Sequence, residues 1–337
     1  MTAPRLRKAF QAEFDSLLLA EQWPLEYKDP ISDLREPREK GAQEAREALL
    51  QAQDRESIHI EDYSFQRSAP RAGTIELTVV SPSEGGNLAR PCVVFCHGGA
   101  MAGSDRYVGL HVNGPLWVKE LGAITVSVEY ERAPENYNDG LARDCYEALC
   151  WIWSELEFDH TRLLMYGASA GGTLAAGAAF MLAQDRQAQS MLVQDQQVQS
   201  ELPELCGLLL EAPMLDPNCD TASMRRLSGN GPFLNREACR FIWQQVIRGP
   251  GPVTHLIAPA KADVHDLAGL PPTAAYVGDM DPLHDEVVEF MEAAERKDFI
   301  CKNVEGAPHG FDAMLPEEAI SQEVKAWVLE WISVRCL

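Results

Sequence analysis

The sequence predicts an α/β protein with a mostly parallel central sheet flanked by helices. From residue 74 onward, short apolar runs alternate with longer segments of helical periodicity. The short runs are apolar almost throughout, which is typical of parallel strands buried on both faces. The chain has 337 residues and is 46% hydrophobic, so it can bury a large core in one α/β domain or in two smaller ones.

The first 70 residues have a different character, because they are charged and helix-prone. Apolar side chains recur there at three- and four-residue spacing, at Leu6, Phe10, Phe14, Leu17 and Leu18. This spacing predicts an amphipathic helix. We therefore assign residues 1–70 to N-terminal helices. Phe10 and Phe14 either pack between helices, which is the commoner use of such residues, or line a substrate pocket.

The alternating region, residues 71–337, divides into predicted strands and helices. Strands are predicted at 74–80, 92–96, 123–128, 162–166, 208–211, 273–277 and 299–304, and helices at 108–121, 139–156, 170–183, 285–297 and 317–334. A Gln-rich stretch at 184–200 contains a short near-duplication and is interpreted as a surface insertion. Residues at about 215–265 carry several Pro and Gly residues, and we expect them to join residues 1–70 in a helical cap.

Charge and cysteine usage limit the classes of partner and compartment. The net charge of −22 argues against nucleic acid, because phosphate binding needs a basic face. The nine cysteines have neither zinc-ligand nor disulfide-scaffold spacing, which favours buried thiols in a reducing compartment. The N-terminus is a poor signal peptide, and no run of about 18 apolar residues occurs. We expect a soluble cytoplasmic protein with no stable membrane insertion.

The strongest local motif is Gly-Ala-Ser-Ala-Gly-Gly at 167–172, a Gly-x-Ser-x-Gly pattern. A predicted strand precedes it and a predicted helix follows it, which is the setting of a nucleophile elbow. Small residues around Ser169 permit a sharp turn that exposes the hydroxyl at the end of the sheet. On this motif alone, a tight structural turn with close helix–strand packing is the alternative interpretation.

A serine nucleophile needs a base that is oriented by an acid. His309 lies after the last predicted strand and before the last helix, which suits a base, whereas His255, His265 and His284 lie in or near the presumed cap or at a helix start. Asp279 and Asp281 follow the strand predicted at 273–277, and spacing alone does not choose between them.

Acyl transfer also needs hydrogen-bond donors for the oxyanion that forms in the transition state. Gly98 and Gly99 directly follow the strand at 92–96, so their N–H groups can approach a substrate oxygen, and the N–H of Ala170 completes the set. Neither glycine cluster fits a nucleotide-binding motif. Nucleophile, acid, base and oxyanion donors all follow predicted strands, where open α/β sheets place their sites.

These motifs resemble the hormone-sensitive lipase-like branch of the α/β-hydrolases. The quoted matches are HGGA at 97–100, EYERAPE at 129–135, GASAGG at 167–172, DPLHDE at 281–286 and HGF at 309–311. The resemblance implies an α/β-hydrolase fold with a helical cap, and relatives that often form homodimers. It assigns Ser169 as nucleophile, Asp281 as acid, His309 as base, and Gly98, Gly99 and Ala170 as oxyanion donors.

The chain departs from the family pattern at two positions. Ala100 replaces the third glycine of the oxyanion loop, and Ala168 replaces the acidic residue that usually precedes the nucleophile. Neither change removes a catalytic atom, so we expect hydrolysis with altered rate or specificity.

The expected function is hydrolysis of small soluble carboxylic esters without a metal or organic cofactor. The same triad can serve an amide, carbamate or lactone hydrolase, or an acyltransferase. A non-catalytic ligand-binding receptor on the same fold is the alternative from another class.

Overall fold

A sheet of eight strands forms the centre of the computed structural model, which describes residues 5–19, 30–53, 57–192, 202–227 and 234–336. In chain order the strands are β1 (Ile58–Gln66), β2 (Thr74–Pro82), β3 (Cys92–Cys96), β4 (Ile124–Glu129), β5 (Leu163–Ala168), β6 (Leu205–Glu211), β7 (Thr273–Gly278) and β8 (Phe299–Val304). Their order across the sheet is β1-β2-β4-β3-β5-β6-β7-β8. The pairs from β4 to β8 are parallel, and β1 and β2 are antiparallel additions at one edge. This confirms the predicted fold class.

Helices connect the strands and cover both faces of the sheet. They are α1 (Lys8–Leu19), α2 (Pro30–Gln53), α3 (Leu110–Leu121), α4 (Asp139–Glu155), α5 (Ala170–Leu192), α6 (Ala222–Arg226), α7 (Arg236–Val246), α8 (Val264–Ala268), α9 (His284–Ala293), α10 (Phe311–Met314) and α11 (Ala319–Cys336). The predicted strands and helices after residue 74 match these elements, apart from differences of a few residues at their ends and of nine residues at the end of α5.

Strand β3 illustrates how the sheet is buried. Its five residues are all buried, and they alternate between the two faces. Cys92, Val94 and Cys96 join the core under α4, α5 and α9, whereas Val93 and Phe95 join the core under α3 and α11. A strand buried on both faces is necessarily apolar throughout, which is why the sequence pattern identified it.

Strand β1 was not predicted, because it lies within the segment assigned to N-terminal helices. Its apolar residues change face along the strand: Ile58 and Ile60 share one parity, and Tyr63 and Phe65 share the other. A half-exposed edge strand with a broken alternation gives no clear period-two signal. Pairing with β2 over the whole of its length fixes its position.

The N-terminal helices contact loops at the carboxyl ends of the strands. In α2, the Arg35 guanidinium donates to the carbonyl oxygens of Ala102 and Ala133, each at 2.8 Å. Near α1, the amide of Arg7 donates to the carbonyl of Gly306 at 3.0 Å. Phe10 is fully buried and packs edge-to-face on Phe311, with ring centroids 6.1 Å apart. Packing is therefore the role of Phe10, whereas the side chain of Phe14 lies outside the described residues.

Two further segments interrupt the strand–helix alternation. The segment between β6 and β7 contains α6, α7 and α8. The Gln-rich stretch begins as the end of α5, which continues to Leu192, and residues 193–201 lie outside the described chain.

Candidate active site

Ser169 stands in a sharp turn between β5 and α5. Its φ of 53° lies in the left-handed region, which a residue other than glycine adopts at a cost. The flanking glycines make the turn possible, because a Cβ on Gly167 would lie 2.4 Å from the carbonyl oxygen of Gly171, and one on Gly171 would lie 2.0 Å from that of Cys96. The amide of Ser169 donates to the carbonyl of Glu211 at 2.7 Å, which anchors the turn to β6.

His309 lies in the loop between β8 and α10, within hydrogen-bond distance of the serine. Its Nε2 is 2.9 Å from Ser169 Oγ, and its Nδ1 is 2.7 Å from Asp281 Oδ2. Burial disfavours the charged imidazolium, but the carboxyl groups of Asp281, Glu211 and Asp312 outweigh it and hold the pKa of His309 above its usual value.

Asp281 is fully buried in the turn after β7. Its Oδ1 accepts a hydrogen bond from the amide of Leu283 at 2.9 Å, so both carboxyl oxygens have a partner. Asp279, the other candidate acid, accepts from the amide of Gly306 at 2.7 Å instead. The two aspartates that spacing left open are thus used differently: Asp281 contacts the imidazole, and Asp279 fixes the loop that follows β8.

The other downstream histidines contact groups away from this site. His255 lies 3.4 Å from Asp266 and 3.0 Å from the Gln184 side chain. His284 begins α9 and contacts Asp285 at 2.8 Å, and His265 is exposed in α8.

The loop after β3 presents backbone N–H groups beside Ser169. Gly98 lies close to the nucleophile, because a Cβ on it would be 3.5 Å from Ser169 Cβ. Among the described residues, the amides of Gly98, Gly99 and Ala170 donate to no protein acceptor. Ala100 takes a φ of 60°, so it accommodates the left-handed turn that a third glycine would adopt without strain.

His97 and Tyr130 support this loop from below. Their rings stack with centroids 4.3 Å apart, and the tyrosine hydroxyl donates to the His97 carbonyl at 2.9 Å. Burial lowers the pKa of His97 to about 4, so its ring is neutral at physiological pH.

A cavity of about 580 Å³ opens beside the serine and imidazole. It extends over the sheet face that carries α3 and α11, and most of its wall is apolar, including Phe95, Trp117 and Val328. Its polar wall includes Glu211 and Asp312, which sequence reasoning did not identify. The available signal was weak: a single acidic residue ends an otherwise apolar strand, and another follows the HGF motif.

Two tyrosine hydroxyls join these two acids. Tyr166 Oη lies 2.6 Å from Glu211 Oε2, Tyr276 Oη donates to Asp312 Oδ2 at 2.7 Å, and the hydroxyls are 3.2 Å apart. Burial, reinforced by the charge of Asp312, raises the pKa of Glu211 to about 8. Burial also raises the pKa of Asp312, against the opposing effects of Tyr276 and of nearby backbone amides.

The described residues contain neither a candidate metal centre nor a candidate membrane span. Within them, no group of three or more His, Cys, Asp or Glu side chains is arranged to hold a metal ion. None of the helices described there has the length and apolar character needed to cross a bilayer.

Comparison with known proteins identifies the family. A family model described as the alpha/beta hydrolase fold matches residues 93–313, more than half of the chain. The chain belongs to this α/β-hydrolase family. The match includes the serine turn, the Asp281 turn and the His309 loop, and it confirms the resemblance to esterases of the hormone-sensitive lipase-like branch.

Curated α/β-hydrolase relatives carry esterase names. The carboxylic ester hydrolase LipN of Mycobacterium tuberculosis is 29% identical over 254 residues, which cover 73% of this chain and 62% of LipN. The ethyl acetate hydrolase of Pseudomonas putida is 25% identical over 221 residues, covering 64% and 63% of the two chains. The matched region thus spans less than two thirds of either relative.

Solved α/β-hydrolase structures agree over almost the whole chain. Esterase LipW from Mycobacterium marinum superposes with a TM-score of 0.76 at 26% identity and covers 92% of each chain. An esterase from the hyperthermophilic archaeon Pyrobaculum calidifontis gives a TM-score of 0.80 at 24% identity over 98% of each chain, which supports the fold alone.

Proposed function

We propose that this α/β-hydrolase is a serine carboxylesterase that cleaves small soluble carboxylic esters through an acyl-enzyme. One observation carries the proposal: the Ser169 hydroxyl, the His309 imidazole and the Asp281 carboxylate form a continuous chain of contacts at 2.9 and 2.7 Å. A serine is a competent nucleophile only when such a base is in reach and is held by a third group.

In the first half of the reaction, Ser169 Oγ attacks the ester carbonyl carbon while His309 Nε2 takes its proton. Asp281 holds the proton on Nδ1, so that Nε2 is free to accept, and it stabilises the imidazolium that forms. The N–H groups of Gly98, Gly99 and Ala170 stabilise the oxyanion, each by about 3 kcal/mol when well placed. His309 then protonates the leaving alcohol.

In the second half, water attacks the acyl-enzyme. His309 takes the proton of the water and returns it to Ser169 Oγ as the carboxylic acid leaves. All proton transfers use groups of this chain, so the proposed cycle includes no cofactor. The N-terminal helices and the segment of about 215–265 are proposed to cap the cavity above these groups.

Replacement of the nucleophile tests the proposal. We expect Ser169→Ala to lose hydrolysis of short p-nitrophenyl esters by about four orders of magnitude and to lose labelling by a fluorophosphonate probe. A control variant, Ser190→Ala, removes an exposed hydroxyl of α5 that bonds, within the described chain, to the helix backbone alone, and it should keep both. Retention of hydrolysis by Ser169→Ala would refute the assignment.

Parallel assays with the matching amides, carbamates and lactones, and with added acceptor alcohols, separate ester hydrolysis from the other reactions of such a triad. Failure of the wild-type protein to react with either ester or probe would instead favour a ligand-binding receptor.

A further inference from the structure

The cavity beside the serine contains a polar group that the proposed ester hydrolysis does not use. We define the carboxyl–tyrosine group as Glu211, Tyr166, Tyr276 and Asp312. The register of the strands brings Glu211 beside Tyr276, because these two residues pair between β6 and β7. Glu211 also pairs with Ala168, the residue before the nucleophile. Asp312 lies at the start of α10, shortly after the catalytic His309 in the chain. The group therefore adjoins the nucleophile and the base.

A count of hydrogen atoms gives the protonation state of the carboxyl–tyrosine group. Its three oxygen–oxygen contacts need three hydrogens, and the two tyrosine hydroxyls supply only two. The third must come from a carboxyl group, and the raised pKa of Glu211 makes it the donor at neutral pH. Glu211 then donates to Tyr166, Tyr166 to Tyr276, and Tyr276 to the ionised Asp312.

The protein does not complete the hydrogen bonding of this group. Among the described residues, Asp312 Oδ1 is buried and makes no hydrogen bond of acceptable geometry, although the amides of Asp312 and Ala313 lie near it. Glu211 Oε1 makes no hydrogen bond of acceptable geometry there, because the bond of this carboxyl to Tyr166 uses Oε2, although Tyr276 also lies near the carboxyl. A buried anion and a free acceptor in a cavity wall favour a ligand that donates hydrogen bonds and carries positive charge.

The described cationic residues of the same cavity do not fill this role. His309 uses both ring nitrogens for Ser169 and Asp281. Lys325 is exposed on α11 and forms no ion pair with either acid in the described chain, and His111 contacts the carbonyl of Tyr107. The described chain therefore supplies no ion-pair partner to Asp312 or Glu211.

We propose that the carboxyl–tyrosine group binds a protonated amine carried by the ester substrate. The apolar wall holds the hydrocarbon part, the ammonium group lies against Glu211 and Asp312, and the ester carbonyl lies at Ser169. This inference rests on the proposed esterase function and narrows its substrate class to amino-esters.

Matched pairs of ester substrates test whether the carboxyl–tyrosine group binds a protonated amine. On the alcohol side, the acetate of dimethylaminoethanol is compared with its uncharged carbon isostere, isoamyl acetate. On the acyl side, the p-nitrophenyl ester of dimethylaminobutyric acid is compared with the ester of its carbon isostere. The measured quantity is the ratio of kcat/KM within each pair. Any change in the reactivity of the triad cancels, because both members use the same Ser169 and His309.

We expect the wild-type protein to prefer the ammonium member of at least one pair by about tenfold or more. Asp312→Asn and Asp312→Ser, which both remove the ionised carboxylate of the group, should each bring that ratio close to one, mainly through KM. Two variants are used so that the test survives if one of them fails to fold. Glu318→Gln, which removes an exposed acidic side chain that does not line the cavity, should keep the wild-type ratio.

Three results overturn the inference. They are a wild-type ratio at or below one in both pairs, an unchanged ratio in both variants, and equal preference for an uncharged hydroxyl analogue of the ammonium ester. Hydrolysis of the carbon isosteres reports separately on the proposed function. If the wild-type protein cleaves them and Ser169→Ala does not, the esterase assignment holds whatever the ratio; if the wild-type protein cleaves no ester, both proposals fail.

Discussion

Asp281 and Glu211 are two enclosed carboxyl groups at the same edge of the sheet, and they differ in what surrounds them. Asp281 receives two hydrogen bonds, one from His309 and one from the amide of Leu283. Glu211 contacts the hydroxyl of Tyr166 and lines the cavity. A carboxylate that has a cationic partner remains a fixed anion, whereas one without such a partner takes up a proton or awaits a ligand.

Asp281 and Glu211 should differ most in their effect on catalysis. We expect Asp281→Asn to lower kcat for a neutral p-nitrophenyl ester by about four orders of magnitude. The amide donates to His309 Nδ1, which places the ring proton on Nε2 and leaves no base for Ser169. Steady-state kinetics with folding checked by circular dichroism measures the effect.

Asp279→Asn is the matched control for that variant. Asp279 lies two residues away, and an asparagine there still accepts from the amide of Gly306. Its kcat should stay within a few-fold of wild type. A loss of similar size in both variants would mean that the loop, rather than the contact with His309, determines activity.

The two acids also differ in how far the sequence predicts them. Ser169, Asp281 and His309 each follow a strand within a recognisable motif, so their approximate position could be inferred, and the resemblance chose Asp281 over Asp279. Glu211, Tyr166 and Tyr276 come from three different strands. Only the register of β5, β6 and β7 brings them together, and register between parallel strands distant in the chain leaves no local pattern.

The strands of the sheet also differ in how far the local sequence predicts them. The strand at 92–96 was predicted with its exact bounds, because burial on both faces makes every residue apolar. The edge strand β1 was missed, since its position depends on pairing with β2 rather than on a regular pattern of its own.

The next largest expected difference between the two acids is in how the free energy of unfolding depends on pH. Glu211 keeps its proton in the folded state up to a pH of about 8, whereas its ordinary pKa is 4.5. The folded state therefore binds more protons than the unfolded state between these values, and this group makes the protein less stable as pH rises through that window. Glu211→Gln removes the effect, so we expect its free energy of unfolding relative to wild type to rise by a few kcal/mol from about pH 5 to about pH 8.

Urea unfolding at both pH values measures this difference. Glu318→Gln is the control, since its exposed side chain lies outside the cavity. Parallel pH dependence of the wild type and Glu211→Gln would contradict the protonated state assigned to Glu211, and with it the donor order of the carboxyl–tyrosine group.

The smallest expected effect is that of the Asp312 carboxyl on the pKa of His309. Asp312 is one of the carboxyl groups that raise the pKa of His309, although Asp281 has the larger effect. The neutral imidazole is the active base, so kcat/KM falls as pH drops through the pKa of His309 in the free enzyme. Asp312→Asn should lower that pKa and move the acid limb of the profile by on the order of half a pH unit toward lower pH.

A neutral ester is the substrate, so that no ammonium group contributes, and Glu318→Gln should leave the limb in place. An acid limb that stays in place in Asp312→Asn, or that moves toward higher pH, would show that the charge of this carboxyl does not raise the pKa of His309.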